Sequence, residues 1–349
     1  MGEKQWITPR SFLFNILNGL AIAIVVGMLP NAILGDLSKY LSQYNEIFSK
    51  IAVVVQGIQY TIPILTGVLI AIQFNLTQLQ TAVVGAATFV GSGATTITNH
   101  QWVITGIGDL INTMITGAIA VGIILIIGDR AGSLNMIILP IVAGGIPGLL
   151  GLLLLPYTKL ITVGIGSVVN SLTNTQPIIM TILIAVIFSI LIVSPISAIG
   201  IGIAIGISGL AAGSAAVGVS ASAIMLALGA WRVNKVGVPI SVLLGAVKLM
   251  MPNTIRHPII FLPVTCTAAV SGLVGVLLNI KGTPDSAGFG LIGLVGPIKS
   301  LNLLGTSMGS GLLLIAITYV IVPIISAIFF NYLFVKILKL YKPDVFIFK

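Results

Sequence analysis

The sequence predicts an all-α polytopic membrane protein with about ten transmembrane helices. Of its 349 residues, 57% are hydrophobic and only 7% are charged, and the mean hydropathy is +1.18. Soluble domains carry about 25% charged residues, and no soluble fold has a core large enough to hide so much apolar surface. Apolar runs of about 20 residues, the length at which a helix crosses a bilayer, recur along the whole chain.

The first predicted span covers residues 12–34. It follows the polar stretch MGEKQWITPR and has no small-residue cleavage site, so we interpret it as a retained membrane helix and not as a signal peptide. Residues 35–50 alternate charged side chains with Leu, Tyr, Ile and Phe at helical spacing. This pattern predicts an amphipathic helix in the membrane interface; a docking face for a soluble partner is the alternative.

The remaining spans follow from the apolar runs in order. We predict full spans at residues 51–74, 104–128, 133–155, 177–195, 215–231, 258–280 and 309–338, and shorter or interrupted pieces at 79–98, 157–173, 196–213, 238–251 and 286–298. About eight to ten full spans with two or more re-entrant hairpins account for this pattern. Pro195 marks the end or a kink of the helix before it.

The basic residues set the predicted topology. The net charge of +9 is spread over the ends of apolar segments, which is typical of positive-inside orientation and not of nucleic-acid binding. Lys4 and Arg10 precede the first span, and four lysines, Lys336, Lys339, Lys342 and Lys349, follow the last. We therefore expect both termini in the cytoplasm, with an even number of crossings, which ten satisfies.

The chain is predicted to form one membrane domain over residues 1–349. Glycines at four-residue spacing and the small-residue segment 197–223 indicate close helix packing in lipid. Two halves, 1–173 and 174–349, are the internal division that we expect, and no soluble domain is predicted.

Polar side chains at breaks in apolar sequence indicate a solute site between Lys248 and Lys299. Asn253 and His257 follow one short apolar piece, and Asp285 and Ser286 lie at the next break. Irregular backbone at membrane depth survives only inside protein or beside a wet cavity, and carriers build midplane sites from broken helices. Lys248 is either an intramembrane charge or a side chain that extends to the interface.

A second polar group precedes and enters the predicted span 104–128. Asn99 and His100 come first, and within the span Asp109 and Asn112 lie on the same helical face as Thr113 and Thr116. An acid inside a span usually pairs or lines a pathway; the alternative is that Asp109 lies at the aqueous end. Asn99, His100, Asp109 and Asn112 complete the predicted substrate-binding set.

The sequence carries no catalytic or metal motif that would define an enzyme. It has neither a Ser/His/Asp set nor Cys/His metal spacing, and its single cysteine, Cys266, lies in an apolar run. Gly288, Gly290 and Gly293 spell G-x-G-x-x-G, but no acidic residue follows about twenty positions later, so we do not interpret them as a nucleotide site. We expect no cofactor and no metal.

Three segments resemble the membrane subunits (IIC, or EIIC) of the bacterial phosphotransferase system. The segments NKVGVPISVLLGAVKLMMPN, IRHPIIFLPVTCTAAVSGLVG and GTPDSAGFGLIGLVGPI are similar to the type 2 branch that includes the perfringolysin-regulator-like proteins. The resemblance implies a homodimer of about ten helices with a transport domain, whose re-entrant hairpins hold the sugar, and a scaffold domain for dimerisation. It also implies a separate IIB protein that phosphorylates the sugar.

The chain departs from the better-known glucose-type subunits, which hold the sugar with an intramembrane glutamate and a histidine. Its only glutamates are Glu3 and Glu46, neither in a plausible transport domain. In this resemblance His257 takes the place of the histidine, and Asp109 or Asp285 takes the place of the glutamate.

The resulting hypothesis is a carrier for a small polar, sugar-like solute, and at most the membrane subunit of a sugar phosphotransferase. A membrane sensor with the same fold and an ion-coupled secondary transporter are the alternatives.

Overall fold

A computed structural model describes residues 8–348 except for positions 129, 131, 174 and 285. The α-helices of the described part are α1 Pro9–Leu41, α2 Glu46–Tyr60, α3 Ile62–Gln73, α4 Gln78–Gly91, α5 Leu110–Ile127, α6 Asn135–Ile138, α7 Ile146–Leu172, α8 Pro177–Leu191, α9 Ala198–Ile205, α10 Gly209–Trp231, α11 Gly237–Leu244, α12 Met251–Arg256, α13 Phe261–Leu277, α14 Val295–Leu304, α15 Met308–Ala316 and α16 Val322–Tyr332. Two strands, β1 Thr95–Thr98 and β2 Gln101–Ile104, form the sheet.

Short π-helical and 3-10 segments join several of these helices. The π-helical stretches are Leu139–Gly145, Ile317–Ile321 and Leu333–Ile337, and the 3-10 turns are Gly132–Leu134, Val247–Met250, Pro258–Ile260, Ile292–Leu294 and Pro343–Phe346.

The helices confirm an integral, predominantly helical membrane protein. Within the described residues, six helical segments are long and apolar enough to cross a bilayer, and a seventh is added if α2 and α3 form one bent span. The six are Pro9–Met28, Leu110–Ile127, Gly132–Leu172, Gly209–Trp231, Pro258–Leu277 and Met308–Ile337. α8, with 15 residues, is apolar but shorter than a full crossing. The count of ten stays a prediction.

Two predicted segments are one helix in the structure. The predicted span 133–155 and the shorter piece 157–173 belong to a single helical segment, Gly132–Leu172, and Pro156 lies inside it. A proline removes one backbone N–H and bends a helix, but it need not end one. The separation at residue 156 was therefore wrong.

The predicted interfacial helix at 35–50 is also divided differently. α1 continues to Leu41 and α2 begins at Glu46, so the segment contains a helix end and a helix start. The side chain of Asn45 accepts a hydrogen bond from the backbone N–H of Ile47 at 2.9 Å, which caps the new helix. The amphipathic pattern of residues 35–50 did not predict that one helix ends and another begins within this segment.

A β-hairpin lies between the predicted piece 79–98 and the predicted span 104–128 and overlaps one end of each. β1 and β2 pair antiparallel with Thr95 opposite Ile104 and Thr98 opposite Gln101. Asn99 and His100 form the connecting turn with φ of +51° and +61°, as a tight hairpin turn requires. The β-branched residues on both strands favour extended backbone, so the predicted span 104–128 begins only at Leu110.

The chain forms two compact units. Unit 1 comprises residues 1–27 and 57–159, and unit 2 comprises 28–56 and 160–349. Unit 1 packs α3, α4 and α5 around an apolar core that includes Ile70, Val84 and Ile124. Unit 2 packs α8, α13 and α16 around α10, which is almost entirely buried. The functional halves 1–173 and 174–349 stay a prediction.

Candidate functional site

Two segments with the same pattern, Ser/Thr-Pro-x-Ser-Ala, interrupt the helices of unit 2. The first, 194–198, separates α8 from α9, and the second, 283–287, follows α13. Proline has no backbone N–H and disfavours helical backbone in the residue before it, so neither segment is helical: α8 ends at Leu191, shortly before the first, and α13 has already ended at Leu277 before the second. We call them the first break and the second break. Sequence inspection for this repeated pattern would have found both, but the sequence analysis singled out only the second as a solute site.

The two breaks pack directly against each other. A Cβ atom built on Gly288 would collide with the backbone of Ala198 and Ile199, and one on Gly202 would lie 3.0 Å from the carbonyl oxygen of Pro284. Two backbone hydrogen bonds of 3.1 and 2.9 Å also join Gly209 to Gly282. Only glycine allows backbones to approach this closely, so these positions fix the contact between the breaks.

Hydroxyl groups hold the local backbone at both breaks. Ser197 accepts a hydrogen bond from the backbone N–H of Gly200 at 3.0 Å and caps α9. Ser286, which is buried, accepts from the backbone N–H of Thr283 at 2.9 Å. The half-buried Thr283 hydroxyl donates to the Ser286 hydroxyl at 3.2 Å. Because the Thr283 oxygen keeps acceptor capacity, the second break retains a hydroxyl that can meet a solute.

A buried lysine supports the first break. Lys248 lies in the turn between α11 and α12 and is only 6% exposed, so its side chain does not extend to the surface. Its ammonium donates to the carbonyl oxygen of Ser194 and, at 2.8 Å, to that of Ile196. Carbonyls beyond a helix C-terminus attract a cation. No described carboxylate forms an ion pair with Lys248, so the partners of its amine are the two backbone carbonyls of the first break.

The other sequence-predicted residues of unit 2 have different surroundings. Asn253 is buried, and its amide donates to the carbonyl oxygens of Val345 and Ile347 at 2.9 and 2.7 Å. His257 ends α12 and is half-buried. Ser286 belongs to the second break, whereas Asp285 lies outside the described residues. Asn253 therefore holds the C-terminal tail in place. Its predicted contact with a solute stays a prediction.

We expect Asn253→Ala to loosen the C-terminal tail. Two carbonyls of half-buried residues would lose their donor, which costs about 2 kcal/mol of stability when neither finds another partner. Hydrogen exchange should become at least tenfold faster in residues 343–348, because about 1.4 kcal/mol corresponds to a factor of ten. Asn253→Asp, which keeps the shape but turns an acceptor towards both carbonyls, should loosen the tail at least as much as alanine does. Unchanged exchange in the tail would contradict this role of Asn253.

The predicted residues of unit 1 form a separate group. Asn99 and His100 are exposed at the hairpin turn. Asp109 was predicted inside a span, but it precedes the helix: it is the N-cap of α5, and its side chain accepts a hydrogen bond from the Asn112 backbone N–H at 2.8 Å. Negative charge at a helix N-terminus is stabilising, which explains an aspartate here.

Asn112 is the most constrained polar side chain of this group. It is fully buried and donates to the carbonyl oxygens of Gly91 and, at 2.8 Å, Gly151. Its Oδ1 has no partner among the described residues. The amide thus joins α4, α5 and α7 within unit 1. Thr113 and Thr116 are buried on the same helix, as the helical spacing predicted.

The breaks of unit 2 offer hydrogen-bond groups suited to a polyhydroxyl solute. They combine hydroxyls, backbone groups and one ammonium within an otherwise apolar helical unit. Among the described residues, no group of three or more His, Cys, Asp or Glu side chains could hold a metal ion.

The comparisons with known proteins agree with the sequence resemblance. The family model described as "Phosphotransferase system, EIIC" (PTS_EIIC_2) matches residues 14–348, which is nearly the whole chain. No curated protein and no solved structure gives a significant match.

Proposed function

Because the chain belongs to the phosphotransferase-system EIIC family, and is thus a membrane component of sugar transport, we propose that it binds and translocates a small polar solute at the breaks of unit 2. The packing of the two Ser/Thr-Pro-x-Ser-Ala segments against each other is the observation that carries this proposal. Broken helices leave backbone groups unsatisfied by helical hydrogen bonds, and lipid cannot satisfy them. A solute with several hydroxyls can bind such groups.

Lys248 adds a buried amine at the first break to the hydroxyls of the proposed site. A sugar needs only hydrogen-bond partners, whereas a sugar acid would also gain from the ammonium. The solute class therefore covers sugars, polyols and their carboxylated relatives. We propose that a separate IIB protein phosphorylates the bound solute, that the protein works as a homodimer and that both termini face the cytoplasm, as the family resemblance and the lysine distribution imply.

The test is thermal stabilisation of the purified protein by a panel of sugars, polyols and sugar acids. A solute that binds only the folded protein raises its apparent Tm as the concentration exceeds Kd. Thr283→Val removes the hydroxyl of the second break while it keeps the side-chain shape. We expect this variant to bind the stabilising solute about tenfold more weakly, the effect of losing one hydrogen bond of about 1.4 kcal/mol.

Thr265→Val is the matched control for this experiment. Thr265 lies in α13 and its hydroxyl donates to its own helix, to the carbonyl oxygen of Phe261 at 2.8 Å. Its replacement should leave solute affinity unchanged. His257→Ala and Asp109→Asn test the two titratable candidates outside the breaks. Equal affinity of wild type and Thr283→Val would place the solute elsewhere, and a stable protein with no stabilising solute would favour the sensor hypothesis.

Coupling to phosphotransfer is tested separately in proteoliposomes. With a phosphorylated IIB protein outside the vesicle lumen, the carrier hypothesis expects the solute to appear as its phosphate ester. Uptake that needs no IIB protein and follows an imposed proton or sodium gradient would support a secondary transporter instead.

A further inference from the structure

Unit 2 contains a large open cavity that is lined in part by the C-terminal segment of the chain. It lies between the C-terminal end of α10, the π-helical stretch Leu333–Ile337 and the tail Pro343–Phe346, and its volume is about 780 Å³. Its inner wall is apolar, formed by Leu228, Ile328 and Val335. None of the residues proposed for solute binding lines it.

Four cations surround this apolar cavity. Arg232, Lys336, Lys339 and Lys342 all line it, and all four are exposed. Within the described residues none of them forms an ion pair, and the one carboxylate nearby in sequence, Asp344, is exposed and does not line the cavity. Clustered like charges repel each other, so an anion bound among them would relieve this repulsion.

Aromatic side chains complete the lining. Trp231 and Tyr332 are largely exposed beside the cations. Tyr341 is buried, and its hydroxyl donates to the side-chain oxygen of Asn331 at 3.4 Å. Burial raises the pKa of Tyr341, so the phenol stays a neutral donor. Tryptophan and tyrosine with an apolar body and a polar edge are typical of the bilayer interface.

We propose that this cavity binds an anionic diacyl phospholipid, with the headgroup phosphate among the four cations and an acyl chain along the apolar wall. Basic pockets between membrane helices recognise anionic headgroups. A free phosphate ion would leave the apolar wall uncovered. A zwitterionic lipid would bring a cation of its own to a rim that is already positive. The inference does not depend on the proposed solute site.

The experiment measures the apparent Tm of delipidated protein in a neutral detergent with three additions at equal concentration. They are phosphatidylglycerol, phosphatidylcholine with the same acyl chains, and inorganic phosphate. We expect phosphatidylglycerol alone to raise the apparent Tm, by about 3 °C or more. The double variant Lys336→Gln/Lys339→Gln should lose most of this rise.

The matched control is Lys50→Gln/Lys159→Gln, which removes two exposed lysines that do not line the cavity. It should keep the full rise. Equal stabilisation by phosphatidylcholine would mean that the lipid acts only as a general solvent for the helices. Equal stabilisation by inorganic phosphate would indicate a small-anion site, and an equal loss in the control would indicate non-local attraction. Each of these results overturns the proposal.

A second measurement tests lipid selectivity without the Lys336→Gln/Lys339→Gln variant, in case that variant does not fold. In Trp6→Phe/Trp102→Phe, Trp231 is the remaining tryptophan and lines the cavity. Phosphatidylglycerol with brominated acyl chains should quench its fluorescence at severalfold lower mole fraction than brominated phosphatidylcholine does. Equal quenching by the two lipids would contradict a selective site.

Discussion

Replacing Lys248 by alanine should lower the free energy of unfolding by about 4 kcal/mol, one of the largest single effects that we expect for this protein. The ammonium donates to the carbonyl oxygens of Ser194 and Ile196. Both carbonyls follow the end of α8, where no helical N–H reaches them. Alanine removes the two hydrogen bonds together with the part of the stem beyond Cβ, whose loss leaves a cavity in a buried region.

Lys248→Met separates these two contributions. Methionine keeps an apolar stem of similar length but has no donor, so it should cost only about 2 kcal/mol, the part due to the unpaired carbonyls. Unfolding in detergent, followed by intrinsic fluorescence, gives both values. Lys235→Ala, at an exposed position, should leave stability unchanged. A methionine variant as stable as the wild type would show that the ammonium does not hold the first break.

Lys248 also shows why part of the site could not be predicted from the sequence. A lysine in the apolar run AVKLMMP was recognisable as unusual, but its partner, Ser194, lies 54 residues away. Asn253 was recognised in the same way, and its partners at 345 and 347 are still more distant. Polarity within an apolar run identifies such residues, whereas only the packing of α8, α10 and the tail identifies what they contact.

The fold was predictable where hydropathy decides it. The predicted spans 258–280 and 309–338 correspond closely to the helical segments Pro258–Leu277 and Met308–Ile337, because length and apolar composition are enough to specify a crossing. The hairpin at 95–104 was missed because hydropathy carries no signal for it. Its determinant is local: β-branched side chains and an Asn-His turn with positive φ.

Gly218→Ala should be as damaging as the loss of Lys248, for a different reason. A Cβ atom on Gly218 of α10 would lie 2.7 Å from both Cα and the carbonyl carbon of Ala185 in α8, and it would meet the carbonyl oxygen as well. These are backbone atoms, which cannot rotate away as a side chain can. α8 and α10 would have to separate, and α8 ends just before the first break. We expect the steric collision to lower the free energy of unfolding by about 3 kcal/mol or more. The better helix propensity of alanine offsets about 1 kcal/mol of this loss.

The matched control for Gly218 is Gly122→Ala in α5, where a Cβ atom would meet nothing within 4 Å. This variant should be as stable as the wild type or slightly more stable, because alanine favours the helix. Adding Ala185→Gly to Gly218→Ala should not rescue stability, since the collision involves the backbone and not the methyl group of Ala185. Rescue by that second change, or equal stability of the two glycine variants, would mean that α8 and α10 are not in backbone contact at Gly218.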